Sequence, residues 1–240
     1  MISKGTQEKI IENNKRISEL LKENETLLTS EGLNAPIQNY VLDESYKIQI
    51  PSGYIRINEV FQDKYHLKEI VISQAVRKNI AYALQLSDLY NYLINRFYIW
   101  GSVKTMLYKS AIINFVSVFE AIILECANNI CCKADSCSIS KSCQRHFNKN
   151  QRNNSFDALK RINEINITNF TEEELSRIHD IIGFRNKVHI RLSKENEFIS
   201  SDFSISLCNE VIVLLQRLSE RIYSYGVSEY NKCNNNQNKS

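Results

Sequence analysis

The sequence predicts an all-α fold: a helical bundle that carries an amino-terminal helix and one small β-hairpin. First, the 240 residues include only six Gly and two Pro, whereas an average chain has about 7% Gly and 5% Pro. Sandwiches and barrels need more of these turn residues. Second, apolar residues recur with a helical period along most of the chain. A hydrophobic share of 43% excludes disorder of the whole chain.

Residues 1–30 predict an amphipathic helix. Ile10, Ile17 and Leu27 recur at helical or near-heptad spacing among Glu, Lys and Asn. Such a helix packs against its own chain or pairs with a second copy, and the pattern leaves both interpretations open.

Residues 31–65 predict a linker that contains the hairpin. Residues 46–50 and 54–57 alternate apolar and polar side chains on either side of Pro51, Ser52 and Gly53. Alternation around a turn that contains Pro and Gly is typical of two paired strands.

Residues 66–226 predict the bundle, and the Asn-rich tail at 227–240 is expected to be disordered. Residues 131–154 form a Cys-rich insertion in the bundle. The helix that precedes this insertion is apolar on most sides, so it is expected at the centre. The predicted helices are one or two within 66–99, then 103–130, 156–165, 171–192 and 203–226.

The composition predicts a cytoplasmic protein without a membrane span. The amino terminus lacks the apolar stretch of a secretory signal. The most apolar segment, 111–127, is interrupted by Asn114, Glu120 and Glu125, which a membrane span rarely tolerates. A net charge of +3 is too small to indicate nucleic-acid binding by bulk electrostatics, so any such site must be local.

The helix predicted from Thr171 carries the most informative pattern. Thr171 and Glu174 form a capping box at its start. Arg185 and His189 lie four residues apart, near the centre of an apolar stripe about 140° wide. An unpaired guanidinium cannot simply be buried, so Arg185 must line a cleft, meet a partner subunit or find a carboxylate. The stripe is Leu175, Ile178, Ile181, Ile182, Val188 and Leu192, and the opposite face carries Glu173, Arg177, Asp180 and Lys187.

Arg and His on one face suit chemistry on a phosphodiester. Arg matches phosphate oxygens with a fork of donors and stabilises developing negative charge. His titrates near neutrality and can move a proton to or from an oxygen. With RNA the ribose 2′-OH can itself attack the phosphorus, so no metal or other cofactor is required for catalysis.

The segment Phe184-Arg185-Asn186-Lys187-Val188-His189-Ile190 resembles the signature of the HEPN superfamily. The resemblance implies a helical bundle and a metal-independent endoribonuclease of the toxin–antitoxin or anti-phage defence type. It also implies a homodimer in which two motifs meet at an RNA-cleaving cleft. Three residues separate Arg185 from His189, fewer than in most active members. Some relatives are catalytically inactive RNA-binding or dimerisation modules, and this is the alternative function.

The resemblance implies that Arg185 and His189 are catalytic and that Asn186 positions the substrate. Glu120, on the predicted central helix, is the candidate that orients them, and Glu125 is the competing choice. A carboxylate beside His189 would raise the pKa of its imidazole. Two further interpretations remain open: Arg185 and His189 are satisfied inside the core, or the chain is a zinc-stabilised regulatory protein.

The Cys-rich insertion offers a set of zinc ligands. Cys132, Cys137, Cys143 and His146 supply three sulfurs and one imidazole, which suit a closed structural zinc site. Cys131 could replace any one of the sulfurs. Free thiols or a regulatory disulfide are the alternatives.

A basic patch is predicted beside the insertion and could hold an RNA backbone. Solvated surface charge explains the same residues equally well. They are Lys141, Arg145, His146, Lys149, Arg152, Lys160 and Arg161.

Overall fold

The computed structural model describes residues 2–32, 47–50, 53–130, 147–184 and 203–237. Within these ranges the chain forms nine helices and no strand, so the predicted all-α class is confirmed. The chain divides into two compact units, Met1–Ile50 and Pro51–Ser240. The helices are α1 Lys4–Ser30, α2 Asn58–Lys64, α3 Leu67–Ile70, α4 Gln74–Arg96, α5 Gly101–Ile130, α6 Lys149–Asn153, α7 Ser155–Glu164, α8 Glu172–Gly183 and α9 Ile205–Gln237.

The first unit contains α1. Ser3 caps this helix, because its side chain accepts a hydrogen bond from the Thr6 backbone N–H. No residue of α1 is buried, and its apolar residues Ile10 and Leu27 are 42% and 59% exposed.

The second unit is a bundle built around α5, as the sequence predicted. Ala111, Ile112, Val116 and Ile123 on α5 have no exposed surface. Helices α4, α7 and α9 pack against α5. Burial of apolar surface on several sides of one helix supplies most of the stability of such a bundle.

Helix α5 is long and apolar enough to cross a membrane by length and composition over Gly101–Asn129. However, 61% of its apolar window is buried inside the protein. A helix whose apolar side chains already pack against other helices has little surface left for lipid. Its hydrophobicity is therefore accounted for by its central position in the bundle.

Helices α4 and α5 form an antiparallel hairpin. The Asn114 side-chain amide on α5 donates hydrogen bonds to the Ala83 carbonyl and, over 2.9 Å, to Ser87 Oγ on α4. The reversal falls between Arg96 and Gly101, where Gly101 adopts a φ of +51°. Only Gly adopts this region without a steric cost, so Gly101 permits the tight turn into α5.

The bundle begins earlier than the predicted boundary at residue 66. Helix α2 belongs to the bundle because Phe61 is 2% exposed and Tyr65 is 3% exposed. These rings lie four residues apart and therefore on one helical face. The predicted linker over 31–65 is thus too long at its carboxyl end.

The structure does not confirm the hairpin. No strand is present in its described residues, 47–50 and 53–57. The backbone of Arg56 is instead bound by side chains of α4. Its N–H donates to Asp88 Oδ2 over 3.1 Å, and its carbonyl accepts from Gln85 Nε2 over 3.1 Å. The backbone N–H and carbonyl of Arg56, which a paired strand would use for hydrogen bonds to its neighbour, are therefore occupied.

The last two helices compare differently with the sequence prediction. Helix α8 spans Glu172–Gly183, with Phe184 as its cap, and the predicted continuation to Leu192 lies outside the described residues. Helix α9 continues to Gln237, into the tail predicted to be disordered from residue 227. After Gly226 this tail contains neither Gly nor Pro, so no strong helix breaker interrupts it.

Candidate functional site

An open cleft of about 1550 Å³ lies between α5, α7 and α8. Glu120 of α5 lines it, together with Ser155 and Phe156 at the start of α7. The third wall is α8 together with Phe184, the last described residue of this segment. Arg185 is the next residue in the chain, so the cleft adjoins the start of the motif that suggests function.

A buried hydrogen bond at the cleft wall joins Glu120 to Ser155. Ser155 Oγ donates to Glu120 Oε1 over 2.8 Å, and the two residues are 7% and 9% exposed, respectively. The Asn154 side chain already caps α7, because it accepts from the N–H groups of Phe156 and Asp157. The Ser155 hydroxyl is therefore available to the carboxylate, and the nearby helix amino terminus favours a negative charge there.

Aromatic and basic side chains form the outer part of the cleft. The Phe156 and His179 rings lie 4.3 Å apart between centroids, and Lys160 Nζ lies 4.5 Å from the centre of the Phe156 ring. His179 was missed in the sequence reasoning, although the chain has only four His. Its place on α8 beside the buried Ile178 was the available signal.

The exposed face of α8 is held by ion pairs to α9. Arg177 donates to both carboxylate oxygens of Glu210, over 2.6 and 2.8 Å. These hydrogen bonds lower the pKa of Glu210. Glu174, which forms the predicted capping box with Thr171, also pairs with Arg217 over 2.5 Å. The hydrogen bond from the Thr171 N–H is the main cause that lowers the pKa of Glu174.

Among the described residues, the lining of the cleft carries more negative than positive charge. The described cations are Lys160 and Arg177, and Arg177 is already engaged by Glu210. A phosphate bound here would need cations besides these two, because carboxylates repel it. The lining carboxylates are Glu120, Asp157, Glu164, Glu172 and Asp180.

The structure brings Glu120, but not Glu125, to the cleft. Arg185, Asn186 and His189 lie outside the described residues. Helix α8 as described ends before them, so the stacking of Arg185 on His189 stays a prediction. In the described part of the apolar stripe, Leu175, Ile178 and Ile181 are buried, and Ile182 is partly buried against the core.

The proposed zinc ligands Cys132, Cys137, Cys143 and His146 also lie outside the described residues. Within the described part of the chain, no cluster of three or more His, Cys, Asp or Glu could hold a metal ion. Cys126 and Cys208 are buried free thiols. Burial raises the pKa of Cys126 to about 12 and that of Cys208 to about 11, so both stay protonated near neutrality.

Two of the four described cations of the basic patch bind groups close to them in the chain. Arg152 Nε donates to the Phe147 carbonyl over 3.0 Å, and Arg161 pairs with Glu164 over 2.8 Å. Lys141, Arg145 and His146 lie outside the described residues. These contacts favour the explanation of ordinary surface charge for Arg152 and Arg161.

The sequence matches no protein-family model and no curated protein, and the fold matches no solved structure. The comparisons therefore neither support nor contradict the resemblance around Arg185.

Proposed function

We propose that this protein is a metal-independent endoribonuclease that acts in the cytoplasm, in bacterial defence or growth arrest. The single observation that carries the proposal is the position of Glu120. Its carboxylate lines the cleft that Phe184 also lines, and Phe184 directly precedes Arg185 in the chain. We infer that this buried acid lies beside Arg185 and His189, where it would support general acid–base chemistry on a phosphodiester.

In the proposed reaction the ribose 2′-OH attacks the adjacent phosphorus, and the bond to the 5′ oxygen of the next nucleotide breaks. The products are a 2′,3′-cyclic phosphate and a 5′-hydroxyl. Arg185 stabilises the negative charge that develops on the phosphate oxygens. His189 transfers a proton as general base or acid. Asn186 positions the phosphate, and Glu120 orients the two catalytic side chains.

The resemblance around Arg185 extends the proposal to partners. Two copies of the motif would face each other in a homodimer and share one RNA substrate. An antitoxin or another defence-system protein is the proposed regulator. The residues that touch RNA must supply the positive charge that the described cleft lining lacks.

The charge of the cleft favours a second candidate function, a catalytically inactive interaction module. The described lining has five carboxylates and two cations, which complement a Lys- or Arg-rich polypeptide better than a phosphate. In this alternative the cleft binds a basic segment of a partner protein, and Arg185 contributes to an interface.

Cleavage of total RNA in EDTA separates the two candidates. We expect the wild type and Lys187→Ala to degrade RNA, because Lys187 is predicted on the face opposite to Arg185. We expect His189→Ala to lose the activity. Equal weak activity in the wild type and His189→Ala would indicate contamination and would favour the interaction module.

A further inference from the structure

A group of aromatic rings lies at the connection between α4 and α5. We call this group, Tyr54, Tyr92, Phe97, Tyr98 and Trp100, the aromatic patch. Tyr92 joins its neighbours, since its ring centroid lies 5.1 Å from that of Tyr54 and 6.1 Å from that of Phe97. The patch is separate from the cleft, whose lining contains none of these residues.

The rings of the connection are unusually exposed. Tyr98 is 93% exposed and Trp100 is 72% exposed. Large aromatic residues are normally buried in large part, so their clustered exposure marks an interaction surface. Phe97, the residue directly after α4, has an extended backbone with φ −113° and ψ 142°.

The chain segment that carries four of the five rings has charge of one sign. Residues 89–119 contain no Asp or Glu. Arg96 and Lys104 flank the connection and are exposed. The carboxylate that precedes this stretch, Asp88, is bound by Arg56 through two side-chain hydrogen bonds of 2.7 and 2.5 Å. A polyanion that approaches the rings therefore meets no unpaired carboxylate from residues 88–119.

We propose that the aromatic patch binds single-stranded nucleic acid. The bases stack on Tyr98 and Trp100, and Arg96 and Lys104 bind the phosphates. Exposed rings flanked by cations are the combination that binds single strands with little sequence preference, because every base has a π-face. The choice of RNA as the natural ligand rests on the proposed function; the patch would hold a strand that the nuclease site cuts.

The 240-residue chain provides its own reporter, because Trp100 is its single Trp. The probe is an oligodeoxythymidylate, which lacks the 2′-OH and so cannot be cut by the proposed reaction. Titration is expected to quench the Trp100 fluorescence. Tyr98→Ala should weaken binding at least about fivefold, since stacking contributes about 1–3 kcal/mol per base. Tyr98→Phe should bind like the wild type.

Two further variants separate charge from general surface effects. Lys104→Gln should reduce the slope of log affinity against log salt by about 0.7, the value for one phosphate contact on a single strand. Tyr82→Ala is the matched control, because Tyr82 is 53% exposed but lies about 20 Å along α4 from the connection. Its affinity should equal that of the wild type.

Three results would overturn the proposal. One is no quenching by the oligonucleotide, and another is equal loss of affinity in Tyr98→Ala and Tyr82→Ala. The third is a change in Trp100 fluorescence that appears only at higher protein concentration or only with anionic lipid vesicles. The first of these results would assign the patch to a second copy of the chain, and the second would assign it to a membrane. Quenching without RNA cleavage would contradict the proposed function but leave the patch intact.

Discussion

Ser155 donates its hydroxyl hydrogen to the carboxylate of Glu120 over 2.8 Å, and this buried bond connects the start of α7 to the middle of α5. Glu120 thereby contributes to the fold as well as to the cleft. Variants at this position must therefore be tested for stability before an effect on activity is interpreted.

We expect Ser155→Ala to lower the free energy of unfolding by about 1–3 kcal/mol, because the buried carboxylate of Glu120 loses a donor. Urea denaturation of both proteins measures the change. Ser117→Ala is the control. Ser117 lies exposed on α5, the helix that carries Glu120, and its hydroxyl donates to the Ile113 carbonyl. An equal effect of the two substitutions would contradict a special contribution of the Glu120 bond.

Asp88→Asn is expected to destabilise the protein by about 1–3 kcal/mol, because Asp88 holds Arg56 through charge-assisted hydrogen bonds. The Asp88 side chain is 10% exposed. Asp63→Asn provides the comparison, since Asp63 pairs with Lys68 but is 65% exposed. In a thermal melt, the melting temperature should decrease clearly for Asp88→Asn and hardly at all for Asp63→Asn. Similar melting temperatures for the two variants would refute this account.

Acid should weaken the connection between α8 and α9. The pKa values of Glu210 and Glu174 are lowered in the folded protein, so their ionised forms stabilise it. This contribution is complete above their unfolded pKa values and is lost as the pH falls through the folded ones. Because Arg177 and Glu210 are 44% and 36% exposed, their pair should contribute less than about 1 kcal/mol.

The measurement for this prediction is urea unfolding from pH 7 to pH 3. A variant that combines Glu210→Gln and Glu174→Gln should lose less stability on acidification than the wild type. Glu69→Gln, at an exposed position, is the control and should follow the wild type. If the free energy of unfolding falls in parallel with pH for all three proteins, the two carboxylates are not responsible for the loss of stability in acid.

The zinc hypothesis predicts about one zinc per chain in protein purified without added metal, held by three thiolates and one imidazole. Metal analysis by mass spectrometry measures it. Cys137→Ser should lose the metal, whereas Cys208→Ser, at a buried thiol of the bundle, should retain it. Purified wild type without zinc would exclude the site.

The sequence predicted well those features that local chemistry determines. The capping box of Thr171 and Glu174 is present because it needs only residues three positions apart. The central position of α5 followed from apolar residues on most of its sides. Glu120 was proposed as the orienting residue because it lies on that apolar helix, and the structure shows it buried at the cleft.

The sequence predicted poorly those features that depend on distant contacts. Alternation at 54–57 indicated a strand, but Arg56 is bound by Asp88, which lies 32 residues away. Periodicity cannot reveal such a partner. The continuation of the stripe through Val188 and Leu192 lies outside the described residues. His179 lies outside the motif at residues 184–190, so the motif gave no signal for it.

Analysis of product ends tests the central claim most directly. A defined RNA oligonucleotide is incubated in EDTA with wild type, Arg185→Ala or Lys187→Ala, each checked for an unchanged melting temperature, and the ends are identified by mass spectrometry. Wild type and Lys187→Ala should produce 2′,3′-cyclic phosphate ends, and Arg185→Ala should not. Intact RNA with the wild type, or equal cyclic phosphate with Arg185→Ala, would contradict the assignment of a nuclease site at Arg185.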